Sequence, residues 1–583
     1  MRRFIVGLLA TVGFLTLVAL GGLSAWLATG PFSSRPLPQP IVLSLDLRKV
    51  PSESAAGGLL GLRASRDIVD TVQLLWQAAD DPRVKGIFVD IGDESAGLAR
   101  VQELRAAITH LRGKGKFAIG FAQTLGSGGT HFADYYLASA LEQIWLQPSG
   151  SFTVAGIAIE TPFLRTGLDK LGVRVEGGKR WQYKSAPDTF LETGYTQPAR
   201  ENLQQLLDSL FGQFVADVSR DRHLEPAKLR ELIDAVPFEP ERAQRESLVD
   251  RIGYRADALD EAWKRTGNRT RDLTELSDYA GDESRPKPRG EVIGLVRVSG
   301  AITSGSVSTG PLDDDNVATS DDVVDALDSA VKAKDVKAIL LRIDSPGGTY
   351  PAADAIADAV GRARSAGKPV IVSMGDVAAS GGYLAAVRGD VIVAEPTTIT
   401  ASIGVFSIWP VTSELLTSIG VNVDRLKVGT NAGMYSPFQA PTEAQKAAVG
   451  RELDIIYKEF TRQVGEFRKL DSERLDAAAR GRVFSGNDAK KAGLVDELGG
   501  LELALSIAKA KAGIDEAKPI QLRRYPPESD RWQKLIERLL RLAGLDADGS
   551  VRAPREVREA LLRLGIVGHP GNVRLPPMPP LWR

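Results

Sequence analysis

The sequence predicts an α/β protein that contains the same domain twice. Residues 84–91 (VKGIFVDI) match residues 336–343 (VKAILLRI) at an offset of 252, and residues 243–253 match residues 489–499 at an offset of 246. A period near 250 residues is far longer than a solenoid repeat, so it indicates a duplicated globular domain. At 583 residues the chain has room for two or three domains with complete cores.

Within each copy, short apolar runs alternate with segments of helical periodicity. In the second copy, Ile339–Ile343 and Val370–Ser373 are short apolar runs, whereas Ser320–Ala333 and Ala352–Arg364 repeat apolar residues at helical spacing. Short strands that alternate with helices of about 10–15 residues are typical of a largely parallel sheet. We therefore expect each copy to be an α/β domain.

The N-terminus predicts a membrane anchor. Phe4–Ala28 is an uncharged apolar run that would be about 37 Å long as a helix, enough for a hydrocarbon core of about 30 Å. A cleavable signal peptide is the alternative, but Trp26 and Leu27 crowd the place where small residues would be expected. Arg2 and Arg3 precede the run, so we expect the N-terminus in the cytoplasm and the rest of the chain outside.

These features divide the chain into five segments. Residues 277–290 are polar, with mixed charges and two prolines, and are predicted to be a linker. The last segment matches neither repeat, and the sequence assigns it no function. We predict a transmembrane anchor at 1–29, a first repeat at 41–267, the linker at 277–290, a second repeat at 291–513 and a C-terminal tail at 514–583.

The composition excludes several classes of protein. With 73 Lys and Arg residues against 74 Asp and Glu residues, the charge gives no reason to expect a nucleic acid partner. The absence of cysteine excludes cysteine nucleophiles, disulfides and thiolate metal sites. No histidine lies between residues 224 and 568, so the second repeat has none to act as a general base, and the HExxH zinc motif is absent. We expect neither a metal ion nor a cofactor.

A serine followed by two glycines, Ser380-Gly381-Gly382, is the first candidate site in the second repeat. It follows an apolar strand and precedes an apolar helical run. A serine at such a turn can expose its hydroxyl, while the N–H groups at the start of the helix stabilise an oxyanion. The alternative is a serine N-cap with glycines for close packing. Because the tripeptide is common, its local sequence alone favours the N-cap.

A second motif, Asp344–Gly348 (DSPGG), directly follows the predicted strand Ile339–Ile343. Its glycines allow positive φ and a close approach of the backbone to a ligand, and Pro346 restricts the local geometry. Consecutive N–H groups here would provide a second oxyanion donor. The alternative is an ordinary turn, which the motif taken alone favours.

The first copy differs from the second at both motifs. It has Ile91–Ser95 (IGDES) in place of the DSPGG turn, and alignment of the following tyrosines places Phe132 or Ala133 opposite Ser380. Ser127 also precedes two glycines, but its spacing from the next helix differs, so we do not regard it as the equivalent serine. We expect the first copy to lack both the nucleophile and the oxyanion turn.

The first copy instead carries a lysine that the second copy lacks. Alignment of the copies puts Ala432 opposite Lys184, whereas Lys427 falls opposite Lys179. A lone lysine is usually a solvated surface charge, but burial can lower its pKa toward neutrality and let it act as a general base. Without a histidine in the second repeat, a Ser–Lys dyad of Ser380 and Lys184 is the available way to activate the serine.

Taken together, these motifs resemble the signal peptide peptidase A family, in its long, membrane-anchored bacterial form, within the ClpP/crotonase superfamily. The resemblance covers roughly residues 1–513. It rests on the order of four motifs, Tyr183–Ser185, Asp344–Gly348, Ala379–Tyr383 and Thr400–Gly404. It implies tandem ClpP/crotonase-like repeats behind an N-terminal transmembrane helix.

The resemblance also implies a role for each candidate residue. Ser380 would be the nucleophile and Lys184 the general base. Ser402 would form a hydrogen bond with the lysine and orient it, and Gly348 and Gly381 would supply the N–H groups of the oxyanion hole.

The function expected from this resemblance is that of a serine endopeptidase that degrades remnant signal peptides after their release from preproteins. Its place would be the bacterial inner membrane, with the catalytic domains on the periplasmic side. Its partners would be unfolded peptides, membrane lipid around the anchor and further copies of itself in a bowl-shaped ring, a tetramer in the family. A crotonase-like acyl-CoA enzyme and a non-catalytic membrane scaffold are the alternatives, and neither explains both the anchor and the division of Ser and Lys between the copies.

Overall fold

The computed structural model describes residues 37–53, 66–92, 97–126, 132–267, 272–287, 290–305 and 317–526. The predicted anchor (1–29) and most of the predicted tail lie outside these ranges. Within them, no helix combines the length and the apolar character needed to cross a membrane.

The first repeat builds one parallel sheet and an extra strand outside it. Its strands are β1 (Ile41–Leu47), β2 (Val84–Ile91), β3 (Phe117–Ala122), β4 (Gln143–Leu146), β5 (Arg174–Arg180), β6 (Arg251–Ile252) and β7 (Thr274–Glu275). Its helices are α1 (Ile68–Asp80), α2 (Leu98–Gly113), α3 (Ala133–Ala138), α4 (Arg165–Lys170), α5 (Asp188–Leu191), α6 (Gln197–Arg222), α7 (Pro226–Asp234), α8 (Pro240–Arg245), α9 (Arg255–Thr266) and α10 (Leu276–Gly281). The sheet has the order β6-β4-β3-β2-β1-β7, and all neighbouring strands are parallel.

The second repeat has the same architecture. Its strands are β8 (Glu291–Ser299), β9 (Ala301–Thr303), β10 (Val317–Thr319), β11 (Val336–Ser345), β12 (Val370–Ala379), β13 (Val391–Ala394), β14 (Ile399–Ala401), β15 (Val405–Val411), β16 (Val483–Ser485), β17 (Glu497–Leu498) and β18 (Ile520–Tyr525). Its helices are α11 (Ser320–Lys332), α12 (Tyr350–Ser365), α13 (Gly381–Ala386), α14 (Ser413–Ser418), α15 (Glu443–Arg468), α16 (Ser472–Ala478), α17 (Gly486–Lys491) and α18 (Leu501–Lys511). The main path of its sheet is β16-β14-β12-β11-β8-β18, with β13 and β17 added beside β12. Its strands pair in parallel except for the antiparallel pair β14–β16.

The predicted α/β fold with largely parallel strands is confirmed. The apolar runs Ile339–Ile343 and Val370–Ser373 lie in β11 and β12, and their residues are almost all inaccessible to solvent because the strands are in the middle of the sheet. The segments with apolar residues at helical spacing, Ser320–Ala333 and Ala352–Arg364, form helices α11 and α12. Each helix packs on this sheet with one apolar face.

Two segments are more ordered than the sequence predicts. The predicted linker contains α10, whose Tyr279 is fully buried. The predicted tail contributes β18, which pairs in parallel with β8 at the edge of the second sheet. In the first repeat β7 pairs with β1 in the same way, so each copy ends with a strand beside its own first strand. The sequence IQLRRY of β18 has too few apolar residues to be predicted as a strand of the core.

The cores of the two repeats are continuous. Leu104 and Ile108 of α2 belong to the same buried cluster as Leu340 of β11, Ile371 of β12 and Leu505 of α18. Burial of apolar surface stabilises a fold by about 25 cal/mol per Å², so a shared core of this kind holds the two repeats together. The repeats therefore hold each other in a defined orientation, on which any site built from both of them depends.

Candidate active site

Ser380 lies at a strand–turn–helix junction between β12 and α13, as predicted. Its φ of 54° and ψ of −118° fall in a region that residues with a Cβ rarely adopt. Two backbone hydrogen bonds hold Ser380 in this conformation. Its N–H donates to Ala401 O at 2.7 Å, and its carbonyl oxygen accepts from Leu384 N at 3.0 Å. Gly382 allows the close packing of this turn, because a Cβ there would lie 2.7 Å from Ser345 O.

Lys184 reaches Ser380 from the other repeat. Its Nζ lies 3.0 Å from Ser380 Oγ, 3.0 Å from Ser402 Oγ and 3.0 Å from the carbonyl oxygen of Ser402. The structure thus brings together the serine that only the second copy has and the lysine that only the first copy has, within one chain.

The pairing of β5 with β15 explains how two residues 196 positions apart meet. These strands are antiparallel, with Val405 opposite Arg180, and they form a small sheet of their own. Lys184 follows the end of β5, and Ser402 precedes the start of β15. The strand pair therefore joins the repeats where the lysine and the serines must converge.

Burial makes the neutral form of Lys184 accessible near neutral pH. Only 3% of the residue is exposed, and removal of water from the ammonium lowers its pKa from 10.5 to about 7. A neutral amine has two N–H donors and one lone pair, which matches the three contacts of Nζ. As an ammonium, Nζ donates to all three oxygens, whereas as a neutral amine it can donate to the two oxygens of Ser402 and keep its lone pair toward Ser380 Oγ.

Ser402 is held in this position by its own backbone. Ala401 and Ser402 both have positive φ, 67° and 52°, and the Ser402 N–H donates to Arg482 O at 2.7 Å. This geometry turns both the carbonyl and the hydroxyl of Ser402 toward Lys184. The hydroxyl contact agrees with the role expected for Ser402, and the carbonyl contact is an addition that the sequence did not suggest.

Two N–H groups lie beside the nucleophile. An ideal Cβ on Gly381 would be 3.1 Å from the nitrogen of Gly348, so these two residues are in close contact. Among the described residues, neither the Gly348 N–H nor the Gly381 N–H donates a hydrogen bond. Two free donors at the positively charged end of α13 suit an oxyanion.

Gly347 makes this approach possible, with the positive φ that the sequence predicts for the glycines of this turn. Its φ is 105°, and a Cβ would lie 2.7 Å from Gly381 N and 2.8 Å from Ser380 Cβ. The DSPGG turn therefore places its backbone against the serine turn because it has no side chain at this position.

Residues 480–482 form a support for Lys184 that could not be found from the sequence. Arg480 O accepts from Tyr183 N at 3.2 Å, and the guanidinium of Arg482 lies 3.6 Å above the ring of Tyr183. Gly481, at φ 87°, packs so closely on the backbone of Lys184 that a Cβ added to this glycine would lie 2.4 Å from Lys184 N. In the sequence this is one glycine between two arginines, with no feature that relates it to a lysine about 300 residues earlier.

The other candidates lie elsewhere. Lys179 forms an ion pair with Asp188, and Lys427 is exposed. Phe132 directly precedes α3 just as Ser380 precedes α13, so it is the structural counterpart of the serine. Ser127 and most of the IGDES segment lie outside the described residues.

Two tyrosines support this correspondence between the copies. Tyr135 of α3 donates to Leu248 O at 2.9 Å, and Tyr383 of α13 donates to Leu494 O at 2.8 Å. Both tyrosines stand at the same position of their helix, and both leucines belong to the segments that match at an offset of 246.

Comparison with known proteins agrees with the duplication. The model of peptidase family S49 matches twice, at residues 125–268 and 362–515. The chain is 31% identical to Protease 4 of Salmonella typhi over 96% of its own length and 91% of that protein. It is 32% identical to Protease 4 of Haemophilus influenzae, covering 76% of this chain and 72% of that protein. It is 29% identical to the chloroplastic serine protease SPPA of Arabidopsis thaliana, covering 76% of this chain and 66% of that one.

These matches exclude the two alternatives that the sequence left open, a crotonase-like acyl-CoA enzyme and a non-catalytic scaffold. They extend through both repeats and include the segments that carry Lys184 and Ser380. The chain belongs to peptidase family S49, as a serine protease with two copies of the family's domain.

Proposed function

We propose that this protease cleaves signal peptides that remain in the membrane after release from preproteins, with Ser380 as the nucleophile and Lys184 as the general base. The observation that carries the proposal is the contact of 3.0 Å between Lys184 Nζ and Ser380 Oγ, at a lysine that is almost fully buried. A buried amine beside a serine hydroxyl is the arrangement that general-base activation requires.

In the first half of the reaction, the lone pair of Lys184 accepts the hydroxyl proton while Ser380 Oγ forms a bond to the carbonyl carbon of the substrate. The negative charge that develops on the carbonyl oxygen is stabilised by the N–H groups of Gly348 and Gly381. Ser402 holds the lysine by accepting its two N–H groups.

The second half of the reaction reverses the proton transfer. Lys184 donates its added proton to the departing amine, the C–N bond breaks, and an acyl–Ser380 ester remains. A water molecule then attacks the ester carbon while Lys184 takes a proton from the water; the bond between this carbon and Ser380 Oγ breaks, Lys184 returns the proton to Ser380 Oγ, and the peptide leaves with a carboxyl terminus. The lysine must be neutral when Ser380 attacks the substrate and again when water attacks the ester, which its lowered pKa of about 7 allows.

The substrate is inferred from the expected location. With residues 1–29 as an uncleaved anchor and the N-terminus in the cytoplasm, the two repeats lie on the periplasmic side of a bacterial inner membrane. Released signal peptides are apolar helices held in that same membrane. An extended apolar segment can bind by strand addition beside the DSPGG turn, where Gly348 is exposed.

The proposed function also includes the assembly of several copies of the chain. Several copies of the chain in a bowl-shaped ring would restrict access to unfolded peptides and protect folded periplasmic proteins.

The test uses the full chain in detergent micelles. A fluorophosphonate probe should label the protein at Ser380, and a synthetic signal peptide should be cleaved, whereas Ser380→Ala should show neither result. Ser127→Ala is the matched control, since it also removes a serine that precedes two glycines, and it should keep both activities. Labelling of Ser380→Ala, or loss of cleavage in Ser127→Ala alone, would contradict the assignment of the nucleophile.

A further inference from the structure

The strand that leads to the nucleophile contains a β-bulge. Strand β12 pairs regularly with β11 up to Met374 and again at Ala378, and between these two positions β12 has two residues more than β11. Before the bulge β12 also pairs with β13, and after it with β14. A bulge bends its strand and re-aims the residues that follow. The direction in which β12 enters the turn at Ser380 therefore depends on how residues 375–377 are held.

The first and last residues of this bulge are held by their own repeat. Thr398 Oγ1 donates to the carbonyl oxygen of Gly375 at 2.8 Å. Val377 N donates to the carboxylate oxygen Oδ1 of Asp344 at 2.9 Å, so this side chain replaces a backbone partner where the ladder between β11 and β12 is interrupted. Both bonds lie within the second repeat.

The middle residue of the bulge, Asp376, is held by the other repeat. Its carboxylate lies at the N-terminal end of α2, where Oδ1 accepts from Arg100 N at 3.0 Å and Oδ2 forms an ion pair with the Arg100 side chain. The N-cap residue of α2 is Gly97, which has no side chain to accept this N–H. The three atoms nearest to a Cβ added to Gly97 all belong to the Asp376 carboxylate, which therefore occupies the place of the cap.

The equivalent residue of the first copy forms its hydrogen bonds within its own repeat. At the offset of 252 that relates β2 to β11, Thr124 corresponds to Asp376. Thr124 Oγ1 donates to Ser151 O at 3.1 Å and accepts from Ser151 N at 3.0 Å. The carboxylate that crosses to the other repeat thus belongs to the strand that carries the nucleophile.

The connection from this carboxylate to the nucleophile is short and stiff. The three residues between Asp376 and Ser380 are all paired with β14. The carbonyl oxygen of Ala378 also accepts from Thr400 Oγ1 at 2.7 Å. A shift of Asp376 would therefore be transmitted to Ser380, because no loop lies between them to absorb it.

We propose that Asp376 is a positioning residue for catalysis, which fixes Ser380 relative to the repeat that supplies Lys184 by binding Arg100 and the N-terminal end of α2. This role rests on the proposed function, in which Ser380 and Lys184 form the dyad. Lys184 belongs to the first repeat, and Asp376 ties the strand of its partner serine to the same repeat. A displacement of about 1 Å between reacting groups can lower a rate by about 100-fold, so such a tie has kinetic consequences.

The test uses the full chain in detergent micelles and a fluorophosphonate probe. The rate constant of labelling measures how well Ser380 is activated, whereas the final extent of labelling measures how many molecules have a folded site. In Asp376→Ala we expect the rate constant to fall about 10- to 100-fold, while the extent stays at one label per chain. On a synthetic signal peptide, kcat should fall by a similar factor with KM nearly unchanged. An unchanged rate constant would overturn the proposal.

A second variant separates the position of Ser380 from the stability of the fold, since Asp376→Ala also removes the cap of α2. Gly97→Ser, added to Asp376→Ala, gives α2 an N-cap side chain of its own in the space that the carboxylate leaves. We expect this double variant to regain thermal stability and still to be labelled slowly, because β12 is no longer tied to α2. If the labelling rate recovered together with the stability, Asp376 would be only a helix cap and the proposal would be overturned.

The matched control removes a helix cap away from the site. Asp257 accepts from Tyr254 N at 2.8 Å at the start of α9, and Asp257→Ala should be labelled at the rate of the wild type. Labelling of Asp257→Ala as slow as that of Asp376→Ala would contradict a specific role of Asp376. Failure of the wild type itself to be labelled at Ser380 would instead overturn the proposed dyad, and this role of Asp376 with it.

Discussion

Lys184 lies in contact with two serine side chains, and almost none of its surface reaches solvent. An ammonium in such a place would be poorly hydrated, and no carboxylate contributes to the shift of its pKa, which has burial as its cause. Among the described residues, the hydrogen-bond partners of Nζ are all groups of the two uncharged serines, which suit a neutral amine. The residue is therefore suited to accept a proton near neutral pH.

Replacement of either member of the dyad tests whether the two residues act as a unit. We expect Ser380→Ala and Lys184→Ala each to lower kcat on the order of 10⁴-fold or more, as for other catalytic units of this kind. Because neither residue can contribute to catalysis without the other, the double variant should be no slower than the slower single variant. The measurement is kcat of the full chain on a synthetic signal peptide. A further large loss in the double variant would show that the two residues act independently.

At the scale of elements, the sequence was sufficient for the two motifs around the nucleophile. The strand before Ser380 begins with the apolar run Val370–Val372 and the helix after the serine begins with two glycines, so the strand–turn–helix junction could be predicted from local sequence. The DSPGG turn after β11 could be predicted for the same reason.

The contact between β5 and β15 could not be predicted in this way. The strand β5 has the sequence RVEGGKR, which lacks apolar periodicity, and its partner lies more than 200 residues away in the other repeat. The expectation that Lys184 meets Ser380 depended on the complementary losses in the two copies and on a family resemblance. Residues such as Gly481, which act through backbone proximity, leave no trace in a single sequence.

Gly481 provides a prediction at this scale. In Gly481→Ala the new Cβ would press on the backbone of Lys184, so we expect kcat to fall by about 10- to 100-fold, as for other small displacements of a catalytic group. The pH at which activity reaches half its maximum should rise, since a displaced lysine is better hydrated.

The matched control is Gly420→Ala. Gly420 has nearly the same φ, 81° against 87°, but no atom lies within 4 Å of the Cβ position. Both variants thus carry similar backbone strain, and only one touches Lys184. Equal kinetics and equal pH profiles in the two variants would mean that Gly481 has no specific role in positioning the lysine.

At the scale of the whole molecule, buried charges join the repeats behind the active site. Arg342 of β11 is fully enclosed and forms ion pairs with Glu53 and Glu103 of the first repeat. The same strand continues into Asp344 and the DSPGG turn. The orientation of one repeat on the other, and with it the position of Lys184 relative to Ser380, depends on this interface.

Removal of the central arginine should therefore weaken the whole fold. Arg342→Leu leaves two carboxylates buried without their cation, a change that costs roughly 3–5 kcal/mol in comparable cases. We expect a clearly lower thermal unfolding midpoint for the full chain. Arg462→Ala breaks ion pairs on an exposed helix surface and should cost no more than about 1 kcal/mol. An equal midpoint for the two variants would show that the buried charges do not hold the repeats together.

The duplication itself was visible in the sequence because both copies retain the apolar patterns of their cores. What the sequence could not reveal is how the copies share one core, since that depends on which faces of α2 and α18 meet the second sheet. The edge strand β18 was missed for a related reason, because a strand with one neighbour needs few apolar residues.

The central claim is that a neutral Lys184 activates Ser380, and the pH dependence of kcat/KM for the full chain tests it most directly. Since burial lowers the pKa of Lys184 to about 7, the active neutral form is gained as the pH rises through that value. The rate should therefore increase through an apparent pKa near 7 and stay high at mildly alkaline pH. Lys184→Arg should be inactive throughout, because a guanidinium stays protonated and cannot accept the serine proton. An active arginine variant, or a rate that rises only near pH 10, the range of an ordinary solvated lysine, would contradict the account.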